Sequence, residues 1–313
     1  MKSKSENMLM SVDCFNSKVD MKEALNSAAS LSKQFGWRPT AVAVISPDQL
    51  NWPSHFSKPW RDEFEKLGED ALKHFLKNYH GKTSITSKIL MQTFHSKRES
   101  FKSILLEAKK SKAAAISVFT HIGQQGLAIP GGFISSLIHE SKVPVLVLNA
   151  KAPHLKNVKN IAFATDFSPE SARSFKRAAE FAEQLKANLI LIHVLPSFVG
   201  GSMAMSASMA GGWSNVENFL IQEEQKTKKR AETWISKLNP KKVKSSFELL
   251  SNTGSISAAI LKICDERAVD LIMVTEKTGP WAALVLGSVT RDILAETKTP
   301  ALVFPTRIQR PLN

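Results

Sequence analysis

The stretch that decides the fold is DLIMVTEKTGPWAALVLGSVTRDILAETKTPALVFP, residues 270–305. It begins with the apolar run Leu271 to Val274, which ends in a polar turn. Gly287 and Ser288 then open a segment with helical periodicity, and a Thr-Pro step leads into a second short apolar run. Apolar runs of this length between amphipathic segments predict strands buried on both faces and joined by helices. A helix that begins at Gly-Ser presents unpaired backbone N–H groups at the positive end of its dipole, which predicts an anion site.

The same order of strands and helices occurs twice along the chain. Matching positions keep an offset of 153 to 156 residues: Asp13 with Asp166, Phe119 with Thr275, and Pro144 with Pro300. Strands that alternate with helices, joined by right-handed crossovers, predict parallel sheets. We therefore predict an α/β fold of two tandem doubly wound (Rossmann-like) domains, each a five-stranded parallel sheet flanked by helices. The first domain spans residues 1–152 and the second spans residues 153–313.

Length and composition agree with two globular domains. The chain has 313 residues, of which 43% are hydrophobic, and this is enough to bury two cores. The net charge of +14 suggests anionic partners, but the lysines and arginines are spread along the amphipathic helices. No nucleic-acid-binding signature accompanies them, so we interpret the charge as solvated helix faces and expect no specific nucleic-acid partner.

Cysteine usage and the start of the chain bear on the compartment. Cys14 and Cys264 are too few for a disulfide framework or a metal cluster, which favours a reducing environment. The first residues, MKSKSENMLMSVD, lack the apolar core of a signal peptide. No run approaches the roughly 18 apolar residues of a spanning helix. We expect a cytoplasmic protein without a membrane span.

Two segments of the second repeat resemble the universal stress protein family. They are NIAFATDFSPESARSFKRAAEFAEQLKANLILIHVLP at 160–196, and SISAAILKICDERAVDLIMV with LGSVTRDILAETKTPALVFP within 255–305. The first repeat is more diverged, and the internal duplication extends the resemblance to it. The resemblance implies a tandem universal stress protein in which the two domains of one chain pair as a pseudo-dimer, often through their last strands. The resemblance leaves open whether two such chains form a further homodimer.

The resemblance implies an adenine-nucleotide site in the second repeat. In nucleotide-binding members an acidic residue after the first strand meets adenine, and a motif G-x2-G-x9-G-[ST] after the fourth strand holds ribose and phosphates. This chain keeps Asp166 and Val194 at the base end. It keeps Gly287, Ser288 and the following Val289 at the phosphate end.

The start of the glycine motif departs from the family pattern. Thr275 and Thr278 stand where two glycines are expected, and Glu276 lies between them. β-Branched residues resist positive φ, and a glutamate there would repel phosphate. The stretch from Thr278 to Gly287 is also one residue short. We therefore expect at best weak binding of ATP or AMP, with no cofactor certain.

The first repeat has lost more of the motif. Asp13 keeps the acidic position, and Gly132 fits the third glycine. Phe119 and Ile122 occupy the two earlier glycine positions, and Phe133 replaces the hydroxyl residue that follows the third. We expect this copy to bind nucleotide less well than the second.

Each candidate residue also has a structural interpretation. Asp166 could cap a turn without any ligand, and Ser288 could simply be the N-cap of its helix. Cys14 is typical of an ordinary buried thiol, although a redox role is an alternative. His193 lacks a partner at metal-ligand spacing, which favours a packing role.

The sequence favours a non-enzymatic stress-response protein. No nucleophile elbow, zinc signature or pair of carboxylates appears, so an ATP-hydrolysing enzyme is the least favoured hypothesis. The alternative is a binding scaffold that has lost ATP and uses two apolar loops, residues 46–60 and 197–214, for a protein partner or an apolar ligand. The second loop carries three methionines among glycines and serines, a composition that suits an adaptable surface.

Overall fold

The computed structural model describes residues 6–15, 21–45, 58–77, 79, 83–92, 100–120, 132–150, 152, 154–195, 213–239, 243–251, 254–276 and 287–306. The chain forms two compact units. The first unit combines Met1–Asn157 with Glu276–Asn313, and the second is Val158–Thr275. Of the apolar loops predicted at 46–60 and 197–214, residues 46–57 and 197–212 lie outside the described residues. The last residues of both predicted loops, from Lys58 and from Trp213, already belong to helices, so the predicted loop ends are wrong there.

Strands and helices alternate throughout the described ranges. The strands are β1 (Asn7–Ser11), β2 (Arg38–Ile45), β3 (Thr86–Met91), β4 (Ala115–Thr120), β5 (Val145–Asn149), β6 (Asn160–Ala164), β7 (Asn188–Leu195), β8 (Ser245–Ser251), β9 (Leu271–Thr275) and β10 (Ala301–Phe304). The helices are α1 (Lys22–Gln34), α2 (Lys58–Lys77), α3 (Ser100–Ser111), α4 (Phe133–Glu140), α5 (Pro169–Leu185), α6 (Trp213–Leu238), α7 (Ile256–Glu266) and α8 (Ser288–Glu296). The α/β class predicted from the alternating pattern is confirmed.

The first unit contains the complete sheet of the first repeat. Its strands lie in the order β3-β2-β1-β4-β5, and every neighbouring pair is parallel. The last strand of the chain, β10, joins this unit by pairing antiparallel with β5, with Ala301 opposite Val147 and Val303 opposite Val145. The last strands of the two repeats therefore pair, which is the arrangement that the resemblance implies.

The second unit contains four strands of the second repeat. Their order is β9-β6-β7-β8, and all neighbouring pairs are parallel. The fifth strand of this repeat is β10, which belongs to the first compact unit. The boundaries of the compact units therefore differ from those of the sequence repeats. The boundary between 152 and 153 stays a prediction about the repeats.

Local sequence signals set the ends of α5. Ser168 is the N-cap, and its hydroxyl oxygen accepts a hydrogen bond from the backbone N–H of Ser171 at 3.2 Å. Pro169 occupies the first helical position, where its missing N–H removes no helical hydrogen bond. The helix ends at Lys186 in the left-handed conformation, with φ of 55°. The serine before Pro169 and the left-handed Lys186 therefore account for the two ends of this helix.

Both cores consist of strands buried on two faces. Met8, Leu9 and Met10 in β1 are each at most 1% exposed. In the second unit Phe163 of β6 packs edge-on against Phe175 of α5, with ring centroids 5.4 Å apart. Within the described ranges, no helix has the length and apolar character needed to cross a membrane.

The strand order places a topological switch point in each repeat. The order reverses between β1 and β4 and again between β6 and β9. Ligands of doubly wound sheets bind at the carboxyl ends of the strands beside such a point. Asp13 follows β1 and Asp166 follows β6, so both aspartates lie where the fold favours a ligand.

Candidate functional site

Asp166 belongs to a tight turn between β6 and α5. Its Oδ1 accepts hydrogen bonds from the backbone N–H of Ser168 at 3.0 Å and from the hydroxyl of Ser171 at 2.8 Å. The residue is nevertheless exposed. The turn-capping role considered for Asp166 is confirmed, and the same bonds hold its carboxylate in a fixed orientation at the switch point.

The next residue, Phe167, adopts a conformation that bulky side chains rarely take. Its φ is +57°, and its side chain is 8% exposed. The backbone N–H of Phe167 donates to the Thr165 hydroxyl at 2.9 Å. A left-handed phenylalanine is strained and persists only where the surroundings stabilise it.

An aromatic cluster supplies that stabilisation. The ring of Phe167 lies 4.9 Å from the ring of His193 and 4.9 Å from the ring of Trp234, which it meets edge-on. Phe247 of β8 lies farther away, at 6.3 Å. The guanidinium of Arg230 lies over the Phe167 ring at 5.7 Å, within cation–π range. Sequence reasoning missed this cluster, because its members come from β7, β8, α6 and the turn.

His193 serves packing and turn geometry. Its Nδ1 lies 2.7 Å from the carbonyl oxygen of Thr165, so the neutral imidazole donates its N–H there. Burial lowers the pKa of His193 below its usual value, and nearby Arg230 adds to the lowering. The Thr165 carbonyl and the Asp166 carboxylate oppose the shift. Within the described ranges, no group of three or more His, Cys, Asp or Glu side chains could hold a metal ion.

Val194 lies in β7, opposite Leu250 of β8. Its side chain is 6% exposed, so it offers a ligand little apolar area. Of the two residues predicted for the base end, Asp166 is the accessible one.

The first repeat repeats the turn in a simpler form. Oδ1 of Asp13 accepts from the backbone N–H of Phe15 at 3.2 Å. Asp13 is exposed, and Phe15 is 50% exposed. Burial, together with the Asp13 carboxylate, raises the pKa of the half-buried Cys14 thiol to about 11. This thiol is a poor nucleophile at neutral pH, which supports its interpretation as an ordinary cysteine.

Gly132 is the N-cap of α4, with φ of −64° and ψ of 161°. Most residues adopt this extended conformation, so the backbone does not require glycine there. Ile122, predicted at an early glycine position, lies outside the described residues.

The phosphate end begins at the N-terminus of α8. Gly287 is the N-cap, with no side-chain hydrogen bond to the first turn, and its carbonyl accepts from the N–H of Arg291 at 2.9 Å. Ser288 is the first helical residue and is exposed, and Val289 is half-buried. The interpretation of Ser288 as an N-cap is wrong, because the helix begins one residue earlier than that role requires.

Glu276 has a different role from the one predicted. It is fully buried, and its Oε1 lies 2.8 Å from Nδ1 of His139 in α4. Its Oε2 accepts from the N–H of Thr306 at 3.3 Å, and its own N–H donates to the carbonyl of Phe304 at 2.9 Å. The expectation that Glu276 repels phosphate in the loop is corrected, because the carboxylate is held inside the first unit by His139. Thr278 lies outside the described residues, and Thr275 is the last residue of β9.

The second repeat matches a known family. The model of the universal stress protein family matches residues 157–305, a range that includes both Asp166 and the Gly287-Ser288 turn. The second repeat therefore belongs to the universal stress protein family.

Solved structures extend the likeness to both repeats. A universal stress protein from Archaeoglobus fulgidus DSM 4304 aligns over 96% of this chain and 97% of its own, at 16% identity and a TM-score of 0.59. A functionally unknown protein from Pseudomonas aeruginosa PAO1 aligns over 97% of this chain and 94% of its own, at 14% identity and a TM-score of 0.58. At these identities the likeness shows the tandem fold alone. A search of curated proteins found no match.

Proposed function

We propose that this chain is a non-enzymatic stress-response protein whose second repeat binds ATP or AMP weakly. The observation that carries the proposal is the exposed Asp166 carboxylate, which hydrogen bonds from Ser168 and Ser171 hold beside the switch point. An oriented acceptor costs little entropy when it meets the amino group of a base.

The weakness of the proposed site follows from its glycine motif. Thr275 takes one glycine position, and Glu276 is tied to His139 in the core. Neither residue can supply the close backbone approach that glycine gives to phosphates. We therefore expect the phosphates to add little, so that ATP binds no more than a few-fold more tightly than AMP.

The test is calorimetric titration of the full chain with ATP and with AMP. We expect Asp166→Asn to weaken binding, because it removes the negative charge but keeps an oxygen that can accept from the turn. Asp13→Asn makes the same change in the first repeat and is the matched control, for which we expect no effect. Loss of binding in Asp13→Asn but not in Asp166→Asn would contradict the assignment to the second repeat.

A binding scaffold without nucleotide is the alternative, and the buried Glu276–His139 pair favours it, since it replaces a phosphate loop with a structural contact. Absence of heat and of a thermal shift at millimolar nucleotide would favour this alternative. Release of ADP that is lost in Asp166→Asn would overturn the non-enzymatic assignment.

The same proposal includes a cytoplasmic location and the two repeats as an internal pseudo-dimer. The antiparallel pairing of β5 with β10 supports the internal pair. Light scattering on the purified chain tests for a further homodimer, because a mass of twice one chain is expected only if two chains associate.

A further inference from the structure

A cavity of about 430 Å³ opens between α3, α4 and the segments that lead from them into β4 and β5. These segments precede the strands, so the cavity lies at the amino ends of β4 and β5. The candidate nucleotide residues Asp13 and Gly132 follow strands at the carboxyl ends. The volume is within the range of small-molecule sites.

The walls of the cavity are apolar, and part of the apolar surface faces solvent. Leu105, Leu106 and Val143 line it. Leu106 is 57% exposed, one of the most exposed large apolar side chains of the described residues. Exposed leucine beside a cavity gives an apolar ligand area that it can remove from water, at roughly 25 cal/mol per Å².

Lysines also line the cavity, beside its apolar walls. Lys102, Lys109, Lys112 and Lys142 line the cavity, against a single acidic residue, Glu140. Lys109, Lys112 and Lys142 are exposed, and no carboxylate within the described ranges forms an ion pair with them. The net charge of the lining is therefore +3, which complements an anion.

Stabilisation of the α3 dipole is the simpler explanation for some of these lysines. Lys109 lies in the last turn of α3, and Lys112 follows the helix in the left-handed conformation, with φ of +53°. Cations near a helix C-terminus are generally favourable. Lys142 follows Ser141, the C-cap of α4, so the same explanation applies to it. It does not explain why lysines from the ends of two helices converge on one apolar cavity.

The second repeat shows that the fold does not require this lining. Ala115 and Leu271 begin equivalent strands at an offset of 156 residues, and the same offset relates the left-handed Lys112 to the left-handed Ala268. At this offset Lys109 corresponds to Asp265 and Leu106 to Lys262. The second repeat thus has an acid in place of a lysine and a lysine in place of the exposed leucine.

We propose that this cavity of the first repeat binds a small amphiphilic anion, with an apolar chain against Leu105, Leu106 and Val143 and an anionic head among the lysines. The ligand class is a monomeric long-chain carboxylate or an alkyl phosphate. The charge of the lining excludes a cationic amphiphile, and the apolar walls disfavour a short organic anion. The inference rests on the cavity alone and is independent of nucleotide binding.

The test is calorimetric titration of the full chain with dodecanoate and with dodecyl phosphate, each below its micelle concentration. Two related probes separate the contributions: dodecyltrimethylammonium keeps the chain and reverses the charge, and butyrate keeps the carboxylate and shortens the chain. We expect saturable binding of the two dodecyl anions and none of the other two probes. Equal binding of the ammonium probe would overturn the proposal.

Variants taken from the second repeat locate the site. Lys109→Asp is expected to weaken dodecanoate binding by roughly tenfold, because a nearby attraction becomes a repulsion. Leu106→Lys is expected to weaken it through the loss of apolar contact. Lys110→Glu is the matched control, since Lys110 is exposed on the same helix, does not line the cavity, and corresponds to Glu266 at the same offset.

The outcomes are decisive in both directions. Leu106, Lys109 and Lys110 are all exposed, so the three variants should unfold at nearly the same temperature as the parent chain. Weakening by Lys109→Asp with normal binding in Lys110→Glu supports the cavity. An equal loss in both variants would indicate general electrostatics, and binding to anionic vesicles without binding of monomeric dodecanoate would indicate a surface contact. Either result overturns the proposal.

Discussion

The turns that follow β1 and β6 occupy equivalent places in the two repeats, and they use the same aspartate differently. Asp13 accepts one backbone hydrogen bond, from Phe15, and the aromatic ring of Phe15 remains half exposed. Asp166 accepts one hydrogen bond from the backbone N–H of Ser168 and one from the hydroxyl of Ser171. The residue after it, Phe167, is buried in an aromatic cluster. The turn at Asp166 therefore fixes the positions of the residues around it, whereas the Asp13 carboxylate, within the described ranges, accepts only the hydrogen bond from Phe15.

The helices that follow reflect the same difference. α5 begins at Pro169 with a side-chain cap from Ser168. α1 begins at Lys22 after Met21, which supplies no side-chain cap hydrogen bond. The same fold therefore forms in the first repeat although its turn, among the residues that the structure describes, lacks the second hydrogen bond and the helix cap. An aspartate at the end of the strand does not by itself define a site.

The largest expected effect is at Phe167. Phe167→Ala should lower the free energy of unfolding by about 3–5 kcal/mol, because it empties the centre of the aromatic cluster. Phe167→Gly should be less damaging than expected from its size, since glycine relieves the left-handed strain. Urea unfolding measures both. Phe15→Ala in the first turn is the control and should change stability by less than about 0.5 kcal/mol. Equal losses at both positions would remove the distinction between the turns.

The next effect is at Glu276, which the first repeat replaces with Thr120 at the 156-residue offset. Glu276→Thr should destabilise the fold by about 3 kcal/mol, because it leaves His139 buried without its partner. The equivalent of His139 in the second repeat is Ala295, so His139→Ala makes the matched change. A double-mutant cycle by urea unfolding should show a coupling of about 1 kcal/mol or more. Strict additivity would mean that the two side chains do not stabilise each other.

A smaller effect is expected at Ser168. Ser168→Ala should cost about 1 kcal/mol through loss of the N-cap bond to Ser171. Ser288→Ala is the comparison at the start of α8 and should cost less, because Gly287 is the N-cap there. Thermal unfolding of both variants measures the difference. A larger loss at Ser288 would show that it caps its helix after all.

The smallest expected effect concerns pH at His193. Its folded-state pKa is lowered by burial, so the unfolded chain binds its proton more readily. Well above the ordinary histidine pKa of about 6.5, this difference in proton binding does not affect the free energy of unfolding. As the pH falls through and below that value, it lowers the free energy of unfolding. His193→Gln should therefore lose less stability than the parent chain between pH 7.5 and 5. A steeper loss in the variant would contradict the lowered pKa.

Much of the fold could be predicted because its signals are local. The helix α3 (Ser100–Ser111) and the strand β10 (Ala301–Phe304) coincide with segments of amphipathic and of continuous apolar sequence. The N-cap of α5 is a serine directly before a proline, Ser168 and Pro169, which is a local signal. Each of these features depends on residues a few positions apart, so the pattern of side chains carries them directly.

The candidate site was only partly predictable. Asp166 and Gly287 could be found from their positions after a strand and before a helix. Glu276 was assigned the wrong role, because its partner His139 is 137 residues away in the chain. Thr278 and the apolar loops stay predictions.

By itself, then, the sequence determined the α/β alternation, the duplication and the strand-end aspartates, since period, spacing and capping are short-range properties. Tertiary structure alone decided that Glu276 contacts His139, that Phe167 is held in a left-handed conformation, and that lysines of two segments surround one cavity. Each of these depends on which distant segments the folded chain brings into contact. A contact between remote residues leaves no periodic trace in a single sequence, and only the folded arrangement specifies it.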